Sequence, residues 1–207
     1  MRRARVEAAV GVVSERIALF AYGSLVSATS AERTLGRPID SLAIGRLAGW
    51  RRRWSQVRDN LATEKTFADA GTGVVPPHCV GLNLEPDPGA AGPNGVMLAV
   101  TEPELDRLAV REIRYDRIDV TDSAAAEAAA AFDRVVTFTA KSENFAPTLP
   151  SGAVILAAYL RAVQTAFGTL GADQLNLFHE TTGPPPVEVV EAVLVRDEIP
   201  SGNPRDW

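Results

Sequence analysis

The sequence predicts a mixed, largely antiparallel α+β domain. Short apolar runs typical of strands fill the first two thirds of the chain, helical segments lie between them, and the last third is mostly helical. With 207 residues, 46% hydrophobic and 23% charged, the chain is long enough for one hydrophobic core. No repeat or linker divides it, so residues 1–207 are expected to form a single domain, with 1–15 as a frayed N-terminal extension.

The composition argues against several classes of partner. A net charge of −5 argues against nucleic acid, and the longest apolar run, 153–160, is far shorter than the roughly 20 residues of a membrane span. The single cysteine, Cys79, cannot form an internal disulfide, and with two histidines it is too few for a zinc or iron–sulfur site. We therefore expect a cytoplasmic, cofactor-independent protein with no nucleic-acid or membrane partner, and leave open whether it forms a homodimer.

The first element is predicted to be a buried strand. Residues 17–22 form a continuous apolar run that Gly23 stops, and so short a run favours a strand over a helix. A short helix should follow, capped by Thr29 or Ser30 and closed by Gly36.

Residues 42–58 are predicted to form two strands joined near Gly49. The arginines of this segment, 51–53, stand between Trp50 and Trp54. Such interleaving is compatible with nucleic-acid stacking, or with a strand whose tryptophans pack inward and whose arginines point outward. A single basic patch on an acidic chain favours the strand.

The middle of the chain is expected to contain a loop and a hairpin. Residues 60–77 are polar, contain glycine and end in proline, which indicates a long surface loop. Strands at 79–84 and 96–100 flank a turn rich in proline and glycine, and together they predict a hairpin.

The best-specified helix runs from Thr101 to Glu112. Thr101 as N-cap with Glu104 three residues later forms a capping box. Leu105, Leu108 and Glu112 recur at helical spacing, so the carboxylate continues the face that is turned to the core.

Two interpretations of Glu112 follow from this position. If the side chain is half-buried, desolvation raises its pKa toward neutrality, as a general base requires. If the helix ends there, the side chain reaches solvent or pairs with Arg111, Arg114 or Arg117.

The remaining elements complete the α+β pattern. Strands are expected at 115–120 and 132–139, around an alanine-rich link at 124–131. A loop at 141–150 should lead to two helices, at 152–170 and 172–180. The last element, 187–196, is ambiguous between strand and helix.

The loop at the end of the first strand is the second candidate for a functional site, after Glu112. In Tyr22-Gly23-Ser24-Leu25, the glycine and serine allow a sharp turn that leaves backbone N–H groups without a ladder partner. Such a loop can receive an anion or a carbonyl oxygen, although an ordinary strand-ending turn has the same sequence. His78 and His179 are far apart, and the sequence lacks glycine-rich nucleotide motifs, so it gives little support to a Ser-His-acid triad or a nucleotide site.

Together, the loop and the acid resemble the gamma-glutamylcyclotransferase-like superfamily. The similarity rests on the strand and loop at 20–25, the segment Leu-Ala-Gly-Trp-Arg-Arg at 47–52, the pair Gly95-Val96, and Leu105-Asp106 followed by Arg-Glu-Ile-Arg-Tyr at 111–115. It spans roughly residues 17 to 120. Less specifically, Pro150-Ser151, Tyr159 and Thr181-Thr182 also resemble some members.

This resemblance implies a small mixed, largely antiparallel β-barrel with peripheral helices. It also implies release of 5-oxoproline from a gamma-glutamyl amino acid or amine, by attack of the substrate's own α-amine and without metal or cofactor. Glu112 would be the general acid and base. The expected substrate-binding residues are Tyr22, Gly23, Ser24, Leu25 and Tyr115.

Other functions remain open at the level of the sequence. They are a non-catalytic ligand-binding or regulatory module on the same scaffold, and hydrolysis or decarboxylation of a small amide. The identity of the gamma-glutamyl substrate is not determined by the sequence. We expect the loops at 60–77 and 141–150 to select the leaving amine.

Overall fold

A computed structural model describes residues 15–205 of the chain, so most of the predicted N-terminal extension, 1–14, lies outside the described residues. The strands are β1 (Ile17–Ala21), β2 (Ala43–Arg46), β3 (Trp50–Asp59), β4 (Lys65–Asp69), β5 (His78–Pro86), β6 (Asn94–Val100), β7 (Tyr115–Asp119), β8 (Arg134–Ala140), β9 (Ala153–Leu156), β10 (Val189–Val190) and β11 (Ala192–Asp197). The α-helices are α1 (Ala28–Leu35), α2 (Glu102–Arg111), α3 (Ala126–Ala129), α4 (Ala157–Thr169) and α5 (Ala172–Thr182). Short 3-10 helices occupy Ser24–Val26, Thr121–Ser123 and Ser142–Asn144.

The strands form three sheets, and most of their pairings are antiparallel. A five-stranded sheet has the order β2-β6-β1-β8-β7, a four-stranded sheet the order β10-β9-β5-β3, and β11 pairs with β4. The α+β class is therefore confirmed. The expected barrel is not: no sheet in the described part of the chain closes, because closure would require the two edge strands of one sheet to pair.

Strand β1 lies at the centre of the five-stranded sheet, between β6 and β8. All five of its residues are buried. A strand covered on both faces has a continuous apolar sequence rather than an alternating one, which is why the run IALFA identified it. The predicted first strand is confirmed.

Helix α1 begins earlier than predicted. Its N-cap is Ser27, whose Oγ accepts a hydrogen bond from the Ser30 N–H at 3.4 Å, so neither Thr29 nor Ser30 is the cap. Ser27 has the extended backbone that an N-cap requires. The helix ends as predicted at Gly36, whose φ of 73° is the left-handed conformation that glycine adopts without strain.

The hairpin predicted from β5 and β6 is wrong. Strand β5 pairs with β3 and β9, whereas β6 pairs with β1 and β2 in the other sheet. A turn sequence indicates that the chain reverses but does not determine the partner. Here β6 completes the hydrogen bonding of β1, a non-local pairing that turn residues cannot specify.

Three segments differ from the prediction because their partners are distant in sequence. The expected loop 60–77 contains β4, which pairs with β11. The expected helix 152–170 starts as β9, which pairs with β5, before α4 begins. The ambiguous segment 187–196 forms β10 and most of β11. None of the helices within 15–205 has the length and apolarity to cross a bilayer.

Helix α2 has the predicted capping box. The Glu104 carboxylate accepts hydrogen bonds from the Thr101 N–H at 2.8 Å and from the Thr101 hydroxyl at 3.1 Å. The helix ends at Arg111, one residue before the predicted end, and Glu112 is its C-cap.

The close approach of β6 to β1 gives a test of the fold. A Cβ at Gly95 would lie 2.3 Å from the Ala21 carbonyl oxygen and 2.7 Å from Phe20 Cζ, whereas at Gly89 the nearest atom, Asp87 Oδ1, is 3.9 Å away. Because backbone in a central strand cannot retreat, we expect Gly95→Ala to lower the free energy of unfolding by about 1 to 3 kcal/mol or more. Gly89→Ala should leave it unchanged. Equal denaturation midpoints for the two variants would contradict this packing.

Candidate functional site

A small cavity of about 50 Å³ lies where β1 ends. It brings together every residue that the sequence predicted for the site, from two separate segments, 22–25 and 112–115. Its lining comprises residues 19–25 with Leu82, Glu112, Tyr115, Phe138 and Tyr159.

The three tyrosines of the chain all border this cavity. The Tyr22 hydroxyl donates to the Phe138 carbonyl at 2.7 Å, and the Tyr115 hydroxyl donates to the Leu82 carbonyl at 2.8 Å. The Tyr159 hydroxyl instead accepts from the Leu82 N–H at 3.4 Å, and its own proton has no acceptor among residues 15–205. Tyr159 is thus the one tyrosine hydroxyl here that can donate to a ligand.

All three phenols stay protonated near neutral pH. Burial raises the pKa of Tyr159 to about 12, and burial raises the pKa of Tyr22 and of Tyr115 well above the ordinary value. Neutral hydroxyls are hydrogen-bond donors, so the walls of the cavity offer donors rather than phenolate bases.

The loop after β1 supplies backbone donors, as the sequence predicts. A 3-10 helix starts at Ser24, and its first hydrogen bond runs from the Val26 N–H to the Gly23 carbonyl at 3.1 Å. The N–H groups of Gly23, Ser24 and Leu25 precede that bond, and none of them donates to another described residue. The Leu25 side chain packs in the core, so the only polar groups that Leu25 can offer the cavity are those of its backbone.

Glu112 combines features of both interpretations of the sequence. The helix does end before it, and its Oε1 lies 3.2 Å from Arg111 Nε. Its side chain nevertheless is only 18% exposed, so it does not reach solvent freely. Arg114 pairs with Glu64 and Arg117 with Glu102, which leaves Arg111 as the arginine beside the carboxylate.

The environment of Glu112 favours its neutral form. Burial raises the pKa of the carboxyl above its usual range, although Arg111 and Arg114 act in the opposite direction. Arg111 is itself held in place: its Nη1 donates to Thr34 Oγ1 at 2.6 Å and its Nη2 to Ser24 Oγ at 3.2 Å. One guanidinium therefore connects the acid to the loop after β1.

One arginine does not point outward as expected. Arg51 and Arg53 are exposed, but Arg52 is 0% exposed and donates to the Tyr22 carbonyl at 2.9 Å. Residues alternate between the two faces of a strand, so Arg52 shares a face with Trp50 and Trp54. That alternation is the signal that could have identified it from the sequence.

Tyr159, on α4, was not predicted as a site residue and was only one of the less specific points of the resemblance. Neither of the loops expected to select the amine, 60–77 and 141–150, lines the cavity. Within 15–205 there is no cluster of three His, Cys, Asp or Glu side chains that could hold a metal ion.

A second, larger groove of about 500 Å³ is lined by Trp50, Arg51, Arg53, 90–93 and 180–183. Its two arginines are already paired, Arg51 with Asp87 at 2.6 Å and Arg53 with Glu85 at 3.7 Å. It brings together none of the predicted site residues, and the smaller cavity is therefore the better candidate for chemistry.

Comparison with known proteins supports the fold. No family model matches the sequence, and no curated protein matches it significantly. YkqA from Bacillus subtilis superposes with a TM-score of 0.51 at 14% identity, over 81% of this chain and 54% of that one. The uncharacterized protein loc79017 from Homo sapiens gives 0.50 at 15% identity, over 84% and 92%. A protein named gamma-glutamyl cyclotransferase gives 0.49 at 14% identity, over 86% and 95%.

This chain has the gamma-glutamylcyclotransferase-like fold. The resemblance that the sequence suggested is thereby confirmed for the architecture. At such identities the likeness concerns the gamma-glutamylcyclotransferase-like fold alone, and the chemistry has to be argued from the cavity.

The raised pKa of Glu112 predicts a pH-dependent stability. Because the pKa in the folded protein lies above the reference value of 4.5, the carboxyl's contribution to stability is complete below pH 4.5 and is lost as the pH rises through the folded-state pKa. Glu112→Gln removes this dependence. Urea denaturation below pH 4.5 and near neutrality should therefore show the variant gaining stability relative to the parent as the pH rises. A variant that loses stability over that interval would show that the carboxylate is favourably paired instead.

Proposed function

We propose that this protein releases 5-oxoproline from a gamma-glutamyl amino acid or amine. The proposal rests on one observation. The half-buried carboxyl of Glu112 borders the same small cavity as the N–H groups of Gly23, Ser24 and Leu25, which donate to no other described residue. The reaction needs a base and oxyanion donors close together, and both are present.

The chemistry requires no nucleophile from the enzyme. The α-amine of the substrate attacks the γ-carbonyl carbon, a C–N bond forms and closes the five-membered ring, and the C–N bond to the leaving amine breaks. Glu112 takes a proton from the attacking nitrogen and returns it to the leaving nitrogen. A carboxyl whose pKa is raised toward neutrality suits both steps better than an ordinary glutamate does.

The donors around the cavity suit the developing negative charge on the γ-carbonyl oxygen. The backbone N–H groups after β1 and the Tyr159 hydroxyl are neutral and already oriented. In a site with little water, such donors stabilise a transition state without reorganising. Holding the amine near the carbonyl also favours ring closure, an effect worth up to about 7 to 11 kcal/mol when the geometry is ideal.

The size of the cavity supports a small substrate group. At about 50 Å³ it is far below the range of roughly 300 to 1,000 Å³ that is usual for sites enclosing whole ligands. The glutamyl end would enter the cavity and the leaving amine would extend outside it. The shared glutamyl end would then control recognition more strongly than the amine does.

The direct test is incubation with gamma-glutamyl amino acids, gamma-glutamyl amines and glutathione, followed by mass spectrometry. Appearance of 5-oxoproline with the free amine supports the proposal. Free glutamate in its place would indicate amide hydrolysis, and ligand binding without any product would indicate a non-catalytic module.

Replacing the base should stop turnover. Glu112→Gln keeps the shape but cannot accept a proton, so we expect the rate of 5-oxoproline release to fall by about 10²- to 10⁴-fold. Asp106→Asn is the matched control, because it makes the same chemical change on the same helix at a side chain that is 79% exposed. The role of Glu112 as base fails if its variant keeps the parental rate.

Tyr159→Phe tests the side-chain donor. The change removes the hydroxyl proton that has no acceptor among the described residues, while the ring keeps its packing against Trp54. If that proton stabilises the oxyanion, kcat should fall by up to about 10²- to 10³-fold, with a smaller change in KM. A change confined to the thermal midpoint would assign Tyr159 a structural role only.

A further inference from the structure

The buried guanidinium of Arg52 lies behind the candidate site and does not line it. It sits over the rings of Phe167 and Phe178, at 4.8 Å and 4.5 Å from their centroids. Its remaining contacts include Thr181 Oγ1 at 3.1 Å and Thr182 Oγ1 at 2.8 Å, both near the end of α5. These contacts leave the guanidinium little freedom to move.

Arg52 is a buried cation without a carboxylate partner among residues 15–205. Its acceptors are hydroxyls, the Asn94 side chain, and the carbonyls of Asn94 and Tyr22. Burial lowers the pKa of Arg52 to about 9, so the group remains charged at neutral pH. A charge that no anion neutralises acts strongly on the dipoles that it contacts.

One of those dipoles belongs to the peptide that enters the candidate site. Arg52 Nη1 donates to the Tyr22 carbonyl at 2.9 Å. Since the peptide bonds of the described residues are trans, the N–H of Gly23 points the opposite way from that carbonyl, and hence away from Arg52. Gly23 borders the cavity, and its N–H is one of those that donate to no other described residue.

Because residue 23 is glycine, the orientation of the Tyr22–Gly23 peptide depends on contacts from other residues. Gly23 has φ −130° and ψ −133°, with no side chain to restrict rotation of the preceding peptide. A Cβ there would make only ordinary contacts, 3.5 Å from the Tyr159 hydroxyl. The glycine itself therefore places little restriction on the Tyr22–Gly23 peptide, whose carbonyl accepts the hydrogen bond from Arg52.

The geometry points to Arg52 as a positioning residue that holds the Tyr22–Gly23 peptide with its N–H directed into the cavity. The positive charge also polarises this peptide and strengthens its N–H as a donor. The effect of this role on catalysis rests on the proposed function. The orientation of the peptide is independent of the proposed function.

The test compares Arg52→Lys with Arg51→Met. Lysine keeps the charge but cannot make the several directed contacts of a guanidinium. Arg51 is the matched control, because it is the preceding residue of the same strand and its side chain is 48% exposed. Each protein is labelled with ¹⁵N-glycine, and the Gly23 amide resonance is assigned by its loss in Gly23→Ala.

In Arg52→Lys we expect the Gly23 amide resonance to move, while that of Gly71, in an exposed turn, stays in place. The kcat for 5-oxoproline release should fall by up to about 10²- to 10³-fold, as after loss of one oxyanion donor, with a smaller change in KM. Arg51→Met should keep the parental spectrum and kcat. An unchanged Gly23 resonance in Arg52→Lys would overturn the proposal, as would a parental kcat in an active enzyme.

The role of Arg52 can still be tested if Arg52→Lys does not fold or if the parent protein is inactive. If Arg52→Lys does not fold, Thr182→Val removes the acceptor of Arg52 Nε but leaves the contact of Nη1 with Tyr22, and a smaller shift of the Gly23 resonance is expected. An unchanged resonance in that variant overturns the proposal. If the parent releases no 5-oxoproline, the proposed function fails, and the Gly23 resonance alone decides the role of Arg52.

Discussion

The burial of β1 on both faces and along both edges is the constraint on which the rest of this structure depends. A strand that lies between two others must leave the sheet through a loop, and β1 does so at Gly23. The backbone donors of that loop then lie inside the protein, where an unpaired N–H is costly. The cavity forms at this point because the neighbouring elements supply side chains around the loop without occupying all of its donors.

Three buried ionisable side chains surround this loop, those of Arg52, Arg111 and Glu112, and they differ in their partners. Arg111 contacts Glu112 and Ser24, so it couples the acid to the loop. Arg52 has only neutral acceptors among the described residues and contacts the carbonyl of Tyr22. The net effect is a site in which burial raises the pKa of an acid, while two arginines contact the loop that carries the backbone donors. Such an arrangement favours a ligand that carries a developing negative charge and delivers a proton.

The gamma-glutamylcyclotransferase-like fold accounts for the arrangement of the strands but leaves the reaction open, because one fold can hold different sites. The reaction has to be argued from the cavity, which is bordered by one acid, three tyrosines and the N–H groups of Gly23, Ser24 and Leu25, none of which donates to another described residue. Two of the tyrosine hydroxyls bond to backbone carbonyls and contribute mainly to the shape of the cavity. The third, on Tyr159, is available to a ligand, and it comes from the C-terminal third of the chain.

The sequence by itself determined the elements that depend on local patterns: the apolar run of β1, the capping box at Thr101 and the glycine that ends α1. Only the tertiary structure decided which strands pair, that the sheets stay open, and that Glu112, Tyr159 and Arg52 approach the loop after β1. Propensity, capping and alternation act over a few residues, so the sequence displays them directly. Strand partners and the burial of one arginine are decided by contacts between segments many residues apart, which no local pattern records.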